Sequence, residues 1–327
     1  YADYAFWVKK PLDRSTDDPI LLYLHGGGYK FQLGPGQFKA LLVLHELIEP
    51  EAAEKLLILV LDYSLACYGA KFPRQKDELN HVWNQLTQEE GNTNIIAVGD
   101  LAGAHLILTY LQELRDYEYH KLYPKIVYPS HMYLISPWIR TLMNPSEVAP
   151  PGHLVLVNEK RDFLNLAKYH EDSAFNIFGN LDMHLLFNDP GRAPMRHADW
   201  DSIPSISDPS RKIFVIVGED EIFRDDVIEW CNEVLGTNIS PSSFGLSPSS
   251  EFVPELHRYY SPEDVDGLKS VVYIEPMGVH DASFLVESET IFGDMQPGGT
   301  SFSDIDPDRY FGLYRMAEHL NSILLPE

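Results

Sequence analysis

Short apolar runs recur along the chain and alternate with longer amphipathic stretches. The runs lie at about 20–25, 56–61, 94–98, 131–136, 212–217 and 270–274, and each is apolar at nearly every position, as in strands that are buried on both faces. Helical periodicity fills most of the intervals, for example at 75–88 and 104–114. This alternation predicts a mostly parallel sheet that is covered by helices on both sides.

The sequence Gly99-Asp100-Leu101-Ala102-Gly103 stands between one apolar run and the helical pattern that follows it. Strand, sharp turn and helix in this order are the setting of the G-x-S-x-G nucleophile elbow of serine hydrolases. Leu101 occupies the position of the nucleophile, and an alkyl side chain cannot attack a carbonyl carbon. A close helix–strand packing without catalytic meaning is the alternative interpretation of the two glycines.

A glycine loop, His25-Gly26-Gly27-Gly28-Tyr29, follows the first apolar run. Three consecutive glycines leave backbone N–H groups uncovered, so that they can approach the oxygen of a ligand. Loops of this kind form the oxyanion hole in lipases and esterases. A plain glycine turn, anchored by a hydrogen bond from His25, is the alternative.

Two further candidates follow the last two apolar runs. Gly218-Glu219-Asp220-Glu221 comes after the run at 212–217, and Met277-Gly278-Val279-His280-Asp281 comes after the run at 270–274. An acid and then a histidine, each just past a strand, follow the nucleophile position in the chain order of α/β-hydrolases. Taken singly, an acidic residue there is often a helix N-cap, and a histidine is often structural.

Taken together, these motifs resemble the hormone-sensitive-lipase-like branch of the α/β-hydrolase family, and within it the fungal steryl acetyl hydrolase-like proteins. The resemblance also runs through Asp62-Tyr63-Ser64-Leu65 and Phe72-Pro73, and it covers nearly the whole chain in the correct order. It implies an α/β-hydrolase fold with a cap insertion, and an esterase that uses a Ser-Asp-His mechanism without a metal or cofactor. It implies a small hydrophobic ester or a sterol-like molecule as the ligand.

The resemblance also implies a role for each site residue. A serine is expected where Leu101 stands, with Asp220 as the acid and His280 as the base. The expected oxyanion donors are the N–H groups of Gly26, Gly27 and Ala102.

Three explanations of Leu101 compete. The protein is a pseudoenzyme that binds a small hydrophobic ligand in the former active site, as the plant gibberellin receptors of similar sequence do. Alternatively, the leucine is an introduced or erroneous change in an active esterase. As a third possibility, the gene comes from a yeast that reads CUG as serine and was translated with the standard code. As printed, the chain is expected to be inactive.

The stretch from about 141 to 209 breaks the alternation of strands and helices. It is rich in Pro, Asn and Asp, and it contains amphipathic pieces at 161–170 and 176–186. We expect an insertion that covers the active site, although a surface excursion is the alternative. The predicted division is a first core part at 1–140, a cap at 141–210 and a second core part at 211–327.

Charge and composition limit the partners. The chain has 25 Lys and Arg against 49 Asp and Glu, a formal net charge of −24, which argues against nucleic acids and anionic membrane surfaces. Its two cysteines form no disulfide framework and no zinc motif, in keeping with a reducing compartment. No apolar stretch is long enough to span a bilayer. The expected location is intracellular, and an anchor preceding Tyr1, as in some resembling proteins, would attach the protein to the endoplasmic reticulum.

Overall fold

A computed structural model describes residues 1–141, 155–164, 171–192, 194–241, 244, 251–261, 269–295 and 302–325. Within these residues one eight-stranded sheet has the order β1-β3-β2-β4-β5-β6-β8-β7. Its strands are β1 Ala5–Lys9, β2 Ile20–Leu24, β3 Leu57–Leu61, β4 Ile95–Asp100, β5 His131–Ile135, β6 Lys212–Gly218, β7 Arg258–Tyr260 and β8 Ser270–Glu275. The strands from β3 to β8 in this order are parallel, and the two edge strands β1 and β7 pair antiparallel.

Helices follow most of the strands. They are α1 Pro35–Leu47, α2 Pro50–Lys55, α3 Arg74–Asn84, α4 Ala102–His120, α5 Val155–Asn158, α6 Glu171–Phe178, α7 Pro204–Ser207, α8 Arg224–Leu235, α9 Pro254–His257, α10 Ser288–Asp294 and α11 Phe311–Leu324. Single π-helical turns extend α3 at Gln85–Glu89 and precede α10 at Ser283–Glu287.

The sheet separates two apolar clusters, because alternate side chains of a strand point to opposite faces. Ile20, Leu22 and Leu24 of β2 pack with α3, α4 and α8, whereas Leu21 and Tyr23 pack with α1 and α11. The predicted three-layer arrangement with a mostly parallel central sheet is therefore confirmed. Among the described helices, none is long and apolar enough to cross a membrane.

The sequence pattern located the six parallel strands to within about two residues, but it missed the edge strand β7. The edge strand β7 has only three residues, too few for a periodic pattern. The amphipathic piece expected at 176–186 is helical only at its start, since α6 ends at Phe178 and Gly179 follows with a left-handed φ of 63°. Glycine is the residue that most readily takes this conformation at the end of a helix.

Between β5 and β6 the structure describes α5, α6, α7 and a 3-10 turn at His197–Asp199. Residues 161–164 form a turn, and the rest of the amphipathic piece expected at 161–170 lies outside the described residues. Residues 142–154 and 193 also lie outside them, so the cap boundaries at 141 and 210 stay predictions.

Candidate active site

The turn between β4 and α4 holds Leu101 in a strained backbone conformation, with φ 45° and ψ −107°. Its N–H donates to the carbonyl of Ile135 at the end of β5 (3.0 Å), and its own carbonyl accepts the N–H of Trp138 (3.1 Å). Residues other than glycine adopt such a conformation only where the surroundings impose it. The sharp strand–turn–helix predicted from the sequence is confirmed, and the catalytic meaning of position 101 stays a prediction.

Two glycines allow the turn to pack against the sheet. A Cβ atom on Gly99 would lie 2.6 Å from the backbone nitrogen of Ala104, and one on Gly103 would lie 1.8 Å from the carbonyl oxygen of Leu24. Both distances are far inside van der Waals contact, and both neighbours are backbone atoms that cannot rotate away. Glycine at these positions is therefore a requirement of the fold, whatever stands at position 101.

We expect Gly103→Ala to lower the free energy of unfolding by about 3 kcal/mol or more, because β2 or α4 must move to admit the methyl group. Gly293 is the matched control, since it lies in α10 with nothing within 4 Å of the Cβ position. Gly293→Ala should be neutral or stabilise by about 0.5–1 kcal/mol. Urea unfolding followed by tryptophan fluorescence measures both, and equal midpoints for the two variants would contradict the packing argument.

The Leu101 side chain is 5% exposed and belongs to an apolar cluster with Tyr29, Trp138 and Phe178. The Trp138 and Phe178 rings lie 5.7 Å apart between centroids, and Tyr29 contacts both. Leucine is thus accommodated at the elbow, in surroundings that are apolar and largely closed to water.

His280 lies on the loop that follows β8 and is buried. Its Nδ1–H donates to Oε1 of Glu221 over 2.8 Å. Its Nε2 lies 3.3 Å from Oδ2 of Asp281 in a geometry that makes no hydrogen bond, and this buried nitrogen has no hydrogen-bond partner among the described residues. One imidazole nitrogen is therefore fixed by a carboxylate and the other is available to a third group. The rings of Phe163 and Phe223 lie against the imidazole.

Glu221 is fully buried and holds three groups at once. While Oε1 accepts the His280 ring, Oε2 accepts the N–H of Gly218 (3.0 Å) and the hydroxyl of Ser136 (2.7 Å). These hydrogen bonds fix the direction of the carboxylate, so Glu221 orients the imidazole and can stabilise a positive charge on it.

The structure corrects the expectation that Asp220 is the carboxylate beside His280. Oδ1 of Asp220 instead accepts Arg161 (2.8 Å) near the surface, and the backbone N–H of Asp220 donates to Gly278. The backbone turn after β6 sends the side chains of Asp220 and Glu221 in different directions. Three acidic residues stand in a row at 219–221, and no sequence pattern distinguishes which of them turns inward.

The glycine loop is arranged by Asp100, which lies buried at the end of β4. Oδ1 of Asp100 accepts the N–H of Gly26 (2.7 Å) and the hydroxyl of Tyr23 (2.5 Å), and Oδ2 accepts the amide of Gln37 (2.6 Å). A Cβ atom on Gly26 would lie 2.2 Å from Oδ2 of Asp100, so only glycine fits there. Since the N–H of Gly26 is already used, the structure corrects the expectation that it is an oxyanion donor.

The next two glycines of the loop have left-handed backbones, with φ 98° at Gly27 and 59° at Gly28. Within the described part of the chain, the N–H groups of Gly27 and Gly28 have no hydrogen-bond partner. Ala102 is the first residue of α4, and an N–H group at the start of a helix has no partner within it. Gly27 and Ala102 thus keep the free donors that the sequence predicts, although their role as an oxyanion hole is a prediction.

His25 anchors the loop. Its ring stacks on Tyr63 at 4.1 Å between centroids, and the Tyr63 hydroxyl donates to the carbonyl of His25 (2.6 Å). Burial lowers the pKa of His25 below its ordinary value, so the ring is neutral. Nδ1 of the ring lies 2.7 Å from the carbonyl oxygen of Gly26, which matches the anchoring interpretation of His25.

Asp281, next to His280, connects the base loop to the elbow. Its backbone N–H donates to Oγ of Ser136 (3.0 Å), and its buried side chain lies near that of Asp100. Burial, followed by the charges of Asp100 and Glu221, raises the pKa of Asp281 well above its ordinary value. Sequence reasoning missed Ser136, Asp281 and Glu221, because their roles depend on contacts between distant segments.

Comparison with known proteins identifies the family. The model of the steryl acetyl hydrolase family matches residues 2–245. "Putative steryl acetyl hydrolase mug81" of Schizosaccharomyces pombe is 31% identical over 240 residues, which covers 70% of this chain and 58% of that protein. "Steryl acetyl hydrolase 1" of Saccharomyces cerevisiae is 30% identical over 138 residues, which covers 41% of this chain and 30% of that protein. The chain thus spans less than two thirds of the length of either relative.

Solved structures share the fold. An esterase of the bacterial hormone-sensitive lipase family superposes with a TM-score of 0.60 at 19% identity, covering 98% of this chain and 81% of that structure. The esterase EstE5 superposes with a TM-score of 0.61 at 18% identity over the same shares. The fold is that of the α/β-hydrolase esterases and lipases.

Proposed function

The chain belongs to the steryl acetyl hydrolase family, and from this premise we propose that its site is built to hydrolyse the acetyl ester of a sterol-like alcohol. The observation that supports the chemistry most directly is the buried pair of His280 and Glu221, with Nε2 of the imidazole left without a hydrogen bond among the described residues. The acetyl group and the sterol come only from the names of the relatives.

In the proposed reaction a serine at position 101 attacks the ester carbonyl carbon and passes its proton to Nε2 of His280. Glu221 stabilises the imidazolium, and the N–H groups of Gly27 and Ala102 donate to the oxyanion. The tetrahedral intermediate then expels the alcohol, which takes the proton from Nε2. Water, deprotonated by His280, adds to the acyl-enzyme, and the second tetrahedral intermediate releases acetate while Oγ of the serine takes the proton back from Nε2.

Leu101 has no atom that can perform the first step, so we propose that the chain as printed does not turn over esters. A second candidate, binding without turnover, is favoured by the burial of Leu101 in the apolar cluster with Trp138 and Phe178. The ligand would be a small hydrophobic ester or a sterol-like molecule. Saturable binding of a fluorescent sterol to the chain as printed, together with an inert Leu101→Ser variant, would favour this second function.

The rate at which Leu101→Ser hydrolyses esters of different acyl length tests the proposed substrate. We expect Leu101→Ser to hydrolyse cholesteryl acetate with a kcat/KM at least about 10-fold above that for cholesteryl butyrate, since each methylene that an acyl pocket rejects costs about 10–200-fold. Cholesterol release is measured by chromatography, with Leu101→Ser/His280→Ala as the control for spontaneous hydrolysis. An equal or higher rate on the butyrate would leave an ester hydrolase but contradict the acetyl specificity.

A further inference from the structure

Asn158 and Asp162, which we call the bridging pair, come from the segment inserted between β5 and β6. This segment contributes none of the residues that the proposed chemistry uses. Yet both side chains are buried, and both bond to the backbone of the loops that carry Glu221 and His280.

Asp162 bonds to both loops at once. Its Oδ2 accepts the N–H of Ile222 (3.0 Å), which follows Glu221 directly, and its Oδ1 accepts the N–H of His280 itself (3.2 Å). A single carboxylate thus sets the separation between the backbone of the acid and that of the base. Burial, with the charge of Glu221 as a second cause, raises the pKa of Asp162, so its ionised form is held against an electrostatic cost.

Asn158 adds a contact one turn earlier in the segment. Its Nδ2 donates to the carbonyl of Glu221 (2.8 Å) and to that of Glu219 (3.3 Å). Phe163, the residue after Asp162, also contacts the base, since its ring lies against that of His280.

We propose that the bridging pair positions the His280–Glu221 dyad, so that the inserted segment helps to determine the catalytic geometry. The catalytic part of this inference rests on the proposed function. Small misplacements of reacting groups can lower rates by about 100-fold, and backbone restraint of both loops is a means of preventing them.

The first test uses the chain as printed and needs no activity. Hydrogen exchange followed by mass spectrometry should show faster exchange in Asp162→Ala at 219–223 and 278–282, with the remaining peptides unchanged. Asp162→Asn keeps one oxygen acceptor and should fall between Asp162→Ala and the parent. Arg161→Ala is the matched control, because Arg161 lies in the same turn but bonds only to a side chain near the surface, and it should leave both peptides unchanged.

The second test uses Leu101→Ser as the parent. Asp162→Ala should lower kcat by about 10–100-fold with little change in KM, and Arg161→Ala should change neither.

Unchanged exchange in both peptides, or an equal increase over the whole chain, would overturn the bridging role. Altered exchange with an unchanged kcat in an active parent would overturn the catalytic part. An inert Leu101→Ser parent would count against the proposed function, and the exchange result would still decide the bridge. Should Asp162→Ala fail to fold, Asp162→Asn and Asn158→Ala carry both measurements.

Discussion

Leu101→Ser is expected to convert the chain into an esterase, with hydrolysis of p-nitrophenyl acetate rising by about 10³-fold or more. Loss of a triad serine costs about 10⁶-fold in a well-studied hydrolase, and the gain here should recover part of that factor. The structural reason is that His280 is already oriented by Glu221 (2.8 Å), while its other nitrogen has no hydrogen-bond partner among the described residues. Serine is also smaller than leucine and adds no atom that the elbow must accommodate.

Two control variants distinguish the effect of the serine hydroxyl from the effect of a smaller side chain at position 101. Leu101→Ala removes as much bulk as Leu101→Ser but supplies no hydroxyl, so its rate should stay at the background of the chain as printed. Leu101→Ser/His280→Ala retains the hydroxyl without the base and should lose most of the gain. A folded Leu101→Ser protein that stays as slow as Leu101→Ala would contradict the interpretation that the chain is an esterase lacking only its nucleophile. It would favour ligand binding as the function.

The second large effect shows which of two adjacent acidic residues, Glu221 or Asp220, orients His280. With Leu101→Ser as the parent, Glu221→Gln should lower kcat by about 10²–10⁴-fold, by analogy with the acid of other triads. A glutamine can turn its NH₂ group toward Nδ1 of His280, which then becomes an acceptor and leaves the proton on Nε2. In that tautomer Nε2 cannot take the proton of a serine hydroxyl.

Asp220→Asn in the same parent should change kcat little, because Asp220 contacts Arg161 and the ring of His280 contacts Glu221 instead. Steady-state kinetics on p-nitrophenyl acetate, with circular dichroism to verify folding, measures both variants. The reverse ranking, in which Asp220→Asn is the damaging change, would restore Asp220 as the acid and overturn the assignment of Glu221.

The sequence was sufficient for the architecture because buried parallel strands and the glycine motifs are local patterns. It located the elbow at Leu101 and the base candidate His280 for the same reason. It could not select Glu221 over Asp220, since that choice depends on which side chain the loop after β6 turns toward β8. Similarly, the use of the Gly26 N–H by Asp100 is visible only once two segments of the fold meet.

The inserted segment was predictable as an interruption but not as a contributor to the site. Its composition, rich in Pro, Asn and Asp, predicts irregular structure. The hydrogen bond between Asp162 and Ile222 joins residues 60 positions apart, and the one between Asp162 and His280 joins residues 118 positions apart. No periodicity or local motif encodes such contacts, because they depend on how the chain returns to one edge of the sheet.

The central claim is that the parts of a serine esterase site other than the nucleophile are assembled around position 101. Intact-mass spectrometry after treatment with a fluorophosphonate probe tests it most directly, because the probe reacts only with a serine that the site has activated. We expect one adduct on Leu101→Ser, mapped to residue 101, and none on the chain as printed or on Leu101→Ser/His280→Ala. A folded Leu101→Ser protein that takes no adduct, or an adduct on the chain as printed, would contradict it.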